Sequence, residues 1–175
     1  VGDVVSGLFD YDEGTKMIAT SEDGGVYLRT TGDWSAATGG GAGTFSTVNN
    51  TRWSGTMFYG ATTAANILIL CNGVDAPQKF VTSTISALAG SPPSTGKFPT
   101  TFAGRLWMAA GDTLYYSAAD NAEDWSTAGG SFQIDRGSGN ITGLYNFMGN
   151  MLIFKRTKIL RMLPGSSLAS TSIRD

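Results

Sequence analysis

No histidine occurs anywhere in the 175 residues. That absence removes the usual general base of serine and cysteine hydrolases, the commonest zinc ligand and the ordinary switch near neutral pH. Cysteine is present once, as Cys71, so no intrachain disulfide forms and a cysteine-rich metal site is excluded. Charge is scarce as well: 12 basic against 14 acidic residues leave a formal net charge of −2. The chain as a whole therefore exerts no electrostatic pull toward nucleic acid or an anionic membrane, and a basic groove exists only locally if at all. No apolar run reaches the length of a bilayer span, and the opening VGDVVSGLFDYDEG has neither the basic start nor the apolar stretch of a signal peptide. The first residue is Val rather than Met, which reads as a slice of a longer polypeptide.

What is present is glycine, 24 residues of it, among 41% hydrophobic residues, with Thr, Ser, Ala and Asn filling the gaps between short apolar bursts. That composition suits many short strands joined by tight turns around a sizeable core; a helical domain carries more Glu, Lys and Leu.

The bursts recur. SGLFDYDEGTKMIATSEDGGVYLRTTGDW, SGTMFYGATTAANILILCNGVDAPQKFV, FPTTFAGRLWMAAGDTLYYSAADNAEDW and TGLYNFMGNMLIFKRTKILRML share one order: aromatic strand, short turn, apolar strand, Gly or polar turn, third strand. The aromatic before the first turn is placed at Tyr11, Tyr59, Phe102 and Phe147, and the following apolar strand starts at Met17, Ile67, Leu106 and Met151, so the period is near 45 residues. A period of that length built from strands and turns alone predicts an all-β, β-propeller-like array of about four small antiparallel blades. The copies span about 5–34, 53–81, 98–125 and 141–163, and 164–175 form a C-terminal tail with little to bury.

The runs MIAT, ILILC, LWMAA and MLIFK are continuous, as in strands covered on both faces, while VYLRT and TLYYSA alternate and belong further out in the blade. Asp23-Gly24-Gly25, Asn72-Gly73, Gly111-Asp112 and Gly149-Asn150 supply the turns. The glycine run 39–43 and the segment 89–97 are expected to be exposed connectors. The fourth copy lacks an Asp-Trp segment and an outer strand, so the array is expected to be incomplete, continued in a longer polypeptide or covered by neighbouring subunits.

No residue qualifies as catalytic, cofactor-binding or metal-ligating, and no cofactor is implied. Asp120, Glu123 and Asp124 crowd together before Trp125, but without the spacing of a calcium loop; they read as a solvated loop, with Asp124 bonding turn amides and Trp125 packing between blades. Ser21, Asp23 and Gly25 match part of the Asp-box turn of sialidase-like propellers, with Tyr27 and Leu28 replacing its last two positions; that turn holds a hairpin and catalyses nothing. Lys155 to Arg161 place four cations in seven residues, read as a hairpin turning near Thr157 with its cations in solvent rather than as a phosphate-tracking patch. The first 33 residues carry seven acids, Asp3 among them, against Lys16 and Arg29, so first and last copies are oppositely charged, which favours their meeting across a closed ring or between head-to-tail subunits.

The stretch from Arg105 to Met162 resembles a segment of bacteriophage tail proteins of the nozzle or tubular type. The resemblance lies in Arg105-Leu106-Trp107, Tyr115-Tyr116-Ser117, Asp120 to Trp125, Ile134, Gly137 to Gly143 and Phe154 to Leu160, with Leu68 to Phe80 upstream. It implies a non-enzymatic virion component, assembled in the host cytoplasm as a homo-oligomeric ring around the DNA exit channel. Its partners would be other tail and connector proteins, with no membrane insertion. The alternative is a carbohydrate-binding propeller module of a secreted or tail-spike protein, for which Trp34 and Trp125 sit at equivalent positions.

Overall fold

The computed structural model describes residues 4–47, 52–60, 66–164 and 173–174. They form four antiparallel sheets of four strands, each sheet in simple up-and-down order. The first contains β1 (Val5–Tyr11), β2 (Lys16–Ser21), β3 (Val26–Arg29) and β4 (Ser35–Ala36). The second contains β5 (Ser54–Phe58), β6 (Ile67–Cys71), β7 (Gln78–Val81) and β8 (Thr84–Ala87). The third contains β9 (Lys97–Phe102), β10 (Arg105–Ala110), β11 (Thr113–Tyr116) and β12 (Gly130–Gln133). The fourth contains β13 (Ile141–Phe147), β14 (Asn150–Lys155), β15 (Ile159–Met162) and β16 (Ile173–Arg174). One 3-10 turn, Arg136–Ser138, precedes β13, and the described residues include no α-helix. The sheets follow one another in a ring-like arrangement with β1, β5, β9 and β13 innermost, a four-bladed propeller in plan.

Each sheet has one strand more than the repeat predicts. The outer strand has no apolar signature of its own: SA, TISA, GSFQ and IR are short and polar, so no hydrophobic period marks them. In the fourth sheet the outer strand, missing from the sequence reading, is β16, drawn from the stretch assigned to the tail and paired through Arg161↔Arg174 and Met162↔Ile173. The rest of that tail, 165–172 and 175, lies outside the described residues.

The second strands explain why a sheet this small is stable. In β6 every residue is buried, with Leu68 and Leu70 packed toward the first sheet and Ile67, Ile69 and Cys71 toward the third. Burial on both faces is why ILILC has no polar alternation. Three apolar layers result. Tyr11, Ile18 and Val26 meet Leu70 and Phe80; Phe58 and Ile69 meet Leu106, Met108 and Trp125; Trp107 and Leu114 meet Leu144, Ile153 and Leu160. Fully burying a side chain of this size stabilises by about 1.5–3 kcal/mol, so the layers, not the strands' own hydrogen bonds, hold the array. No cluster of buried residues joins the fourth sheet to the first among the described residues.

The repeat aromatic needs one correction. Tyr11, Phe102 and Phe147 end their inner strands, but in the second sheet that place belongs to Phe58, paired with Ile67, and not to Tyr59, which is exposed. The glycine run 39–43 is also more than an exposed connector. Gly40 is buried and accepts from Val26 N–H at 2.7 Å, Gly43 N–H donates to Asp23 O at 2.7 Å, and Thr38 bridges Thr84 in parallel, clamping first sheet to second. Gly24, at φ 75°, shows why this turn excludes other residues: a Cβ there would lie 2.2 Å from Phe45 O.

Candidate functional site

The inner strands enclose the most organised polar surface. A cleft of about 400 Å³ runs along residues 54–56 of β5, 98–101 of β9 and 144–146 of β13. A second, of about 450 Å³, opens at the turn end between Gly73, Thr95, Lys97, Gly111, Asn140 and Thr142. In the first, hydroxyls and an amide alternate with Phe98, Pro99 and Leu144, and most of the polar groups are already committed. Ser54 Oγ accepts from Phe98 N–H at 3.1 Å; Thr101 Oγ1 donates to Met57 O at 2.8 Å; Thr100 Oγ1 donates to Leu144 O at 3.3 Å; Asn146 Nδ2 donates to Thr101 O at 2.9 Å.

These four bonds join neighbouring sheets, and their partners lie 44, 44, 44 and 45 residues apart. The spacing matches the repeat, and in three of the four bonds the partners hold equivalent places on successive inner strands; Thr100 and Leu144 are offset by one residue. Sequence reasoning missed these residues. The signal was there: Met57, Thr101 and Asn146 each stand one place before the repeat aromatic, and in the last two copies that place is polar.

The carboxylate cluster does not converge. Glu123 Oε1 pairs with Lys79 Nζ at 2.7 Å and accepts from Ala89 N–H at 3.1 Å, so it fastens a loop of the third sheet to the second rather than sitting free in solvent. Asp124 Oδ1 accepts the Thr127 amide at 2.9 Å, and Trp125 is buried with its Nε1 donating to Ala122 O at 2.8 Å. No group of three or more Asp, Glu or Cys able to hold a metal occurs among the described residues. Trp34, placed by sequence as the counterpart of Trp125, is only half-buried.

The partial Asp-box closes the β2–β3 turn. Asp23 Oδ1 accepts from Ser21 Oγ–H and, at 2.8 Å, from Gly25 N–H, while Tyr27 O–H donates to Asp23 Oδ2 at 2.5 Å. Desolvation works against ionisation of Asp23, but the bonds from Ser21, Tyr27 and Gly25 together outweigh it and hold the carboxyl below its ordinary range. Asp3 lies outside the described residues.

The cation-rich hairpin differs from expectation at one residue. Lys155 is buried, not in solvent, and its ammonium donates to Ile134 O and, at 2.7 Å, to Asp135 O, capping the connector between third and fourth sheets. Lys158 pairs with Asp135 at 2.6 Å, whereas Arg156 and Arg161 are exposed as expected. The bond from Lys158 and then that from Ser138 hold the Asp135 carboxyl down to about 2. Cys71 is buried beside Met108 at 3.8 Å, and desolvation pushes its thiol far above the ordinary range, the opposite of an activated nucleophile. The geometry thus offers hydrogen-bonding walls, with Lys97 at the turn-end cleft, and sheet-to-sheet fasteners along the inner strands.

No family model matches the chain, and no curated protein matches it. Solved structures do. The chain is similar to the computationally designed Ika4 protein at 11% identity and a TM-score of 0.59, covering 94% of each chain. It is similar to the designed Ika8 protein at 10% identity and a TM-score of 0.57, covering 89% of this chain and 44% of that one. It is also similar to the extracellular domain of a hybrid two-component system from B. thetaiotaomicron, at 10% identity and a TM-score of 0.61, covering 96% of this chain and 23% of that one. At such identities the likenesses show the fold alone: an all-β array of four small antiparallel sheets, resembling a four-bladed β-propeller.

Proposed function

We propose that this chain is a non-enzymatic structural module of a bacteriophage virion, part of a nozzle- or tube-like tail ring around the DNA exit channel. The observation that carries the structural reading is where the polar groups are used. Ser54, Thr100, Thr101 and Asn146, which line the central cleft, are bonded to neighbouring sheets. The virion assignment rests on the resemblance between Arg105 and Met162, whose turns the fold accommodates at Gly111, Asp120 and Gly149. The test is made on particles of the phage that encodes the sequence. Mass spectrometry is expected to find the chain at fixed multiples of the portal protein, with antibody labelling below the portal. Its absence from purified particles overturns the reading.

A second reading, carbohydrate binding, is favoured by one observation: the exposed Tyr145 beside Asn146 on the wall of a cleft without carboxylates. Micromolar binding on a glycan array, lost in Tyr145→Ala, would place it first.

A further inference from the structure

The repeat makes it possible to ask, place by place, what each sheet is missing. The aromatic that ends the inner strand is buried by the sheet that follows: Tyr11 is 4% exposed, Phe58 1% and Phe102 3%. Phe147, in the same place on the last sheet, is 50% exposed. Three places earlier the inner strand faces the sheet that precedes it. There Leu144 is 9% exposed against the third sheet, while its counterpart Leu8, on the first, is 55% exposed. Strand pairing puts Tyr145, Leu152, Phe154, Ile159 and Arg161 on the same uncovered face as Phe147. It puts Met17 and Asp10 beside Leu8.

The charges of the two end sheets are opposed. Residues 5–36 carry six acids against Lys16 and Arg29, a net charge of −4; residues 141–163 carry four cations and no acid, a net charge of +4. Of these charges, Asp10 and Arg161 stand on the uncovered faces themselves. Arg29 also stands on the first sheet's face, but its Nε is turned to Gly32 O at 2.7 Å.

We infer that the uncovered face of the fourth sheet, centred on Phe147, Tyr145 and Phe154, receives the Leu8–Met17 face of the first sheet of a second copy. The copies join head to tail in the register the chain already uses three times within itself. Such a contact is heterologous, so it propagates until the ends meet and close a ring. Apolar surface drives the contact, and the opposed charges set its direction and make it sensitive to salt. The inference rests on reading the chain as a stacked structural module, and it does not depend on the virion.

Sedimentation velocity on the 175-residue chain tests it. The expected result is a species of at least two chains, weakened by added salt, with Leu8→Lys and Tyr145→Lys each abolishing closed assemblies. Both residues are largely exposed, so each variant should keep the parent's circular dichroism and melting. Mixing the two variants in equal amounts leaves one intact face on each partner, and is expected to restore a two-chain species that neither forms alone. A pairing of like faces predicts instead that one variant still dimerises and that mixing restores nothing, which overturns the proposal. A parent chain that stays monomeric at every concentration overturns it too. Should either lysine variant misfold, the exchange Asp10→Arg in one copy and Arg161→Asp in the other provides the same mixing test. A failure of sedimentation leaves the particle experiment standing, and the reverse holds as well.

Discussion

The second and fourth sheets share one repeat unit, yet they meet solvent differently. In the second, Phe58 and all five residues of β6 are enclosed from both sides. In the fourth, β14 alternates, with Met151, Ile153 and Lys155 covered by the third sheet, Leu152 and Phe154 half-exposed, and Phe147 open. The runs MLIF and ILILC are both unbroken apolar stretches, so composition does not report which is covered. Position in the array decides it. A strand in such a fold carries two apolar faces by design of the repeat, and a terminal sheet keeps both whether or not a neighbour is present.

The sharpest way to break that comparison is to truncate the same aromatic in two places. Phe102→Ala is expected to cost about 3–5 kcal/mol through the lost contacts and the cavity left behind. Phe147→Ala is expected to stay within about 0.5 kcal/mol when the chain is dilute enough to be monomeric. Urea denaturation midpoints of the two variants decide it, and equal losses would mean that the end face is covered after all. Next come two turn glycines of like conformation. Gly24→Ala faces both a positive φ and the Phe45 carbonyl, and should lower stability by more than 2 kcal/mol, about twice the cost of the backbone strain alone. Gly149→Ala, at φ 72° with open space around it, should cost only about 1–2 kcal/mol. Thermal melts of both are sufficient.

A comparable effect is expected at the third seam. Lys155→Met keeps the apolar stem but leaves the carbonyls of Ile134 and Asp135 without their donor, for a loss of about 1–3 kcal/mol by chemical denaturation. Smallest is the pH response of the Asp135–Lys158 pair. Because the folded carboxyl titrates near 2, below the ordinary range of about 3.9, its contribution is complete above about pH 4 and fades as the pH falls toward 2. Asp135→Asn should flatten that part of a melting-temperature profile and leave neutral pH nearly untouched. The pair is exposed, so no large change is expected.

Period and turns were legible in the sequence, because they are local. Gly24, Gly73, Gly111 and Gly149 all take positive φ, and each sits where the turn residues place it. The fold class followed from the 45-residue recurrence. Three things were not legible. The outer strands are too short and polar to carry a period, and Ile173–Arg174 could not be recognised without its partner Met162. Phe58 and Tyr59 are adjacent aromatics, and only strand register tells which one faces the core. Lys155 reads as one more cation of a charged turn until the connector carbonyls are placed against it. The inner-strand fasteners fall between: the polar residue before the repeat aromatic marks Thr101 and Asn146, but their partners are a full repeat away and show only when the copies are aligned.

Those fasteners have a consequence for how the gene could change length. A side chain that addresses a carbonyl 44 or 45 residues upstream keeps its partner type if one whole unit is deleted or duplicated between them, since an equivalent strand slides into place. An insertion of arbitrary size in an inner strand has no such protection and severs every bond across that seam. Growth and shrinkage by complete units is the path of least resistance for such a chain, and related molecules should differ in blade number more readily than in blade size.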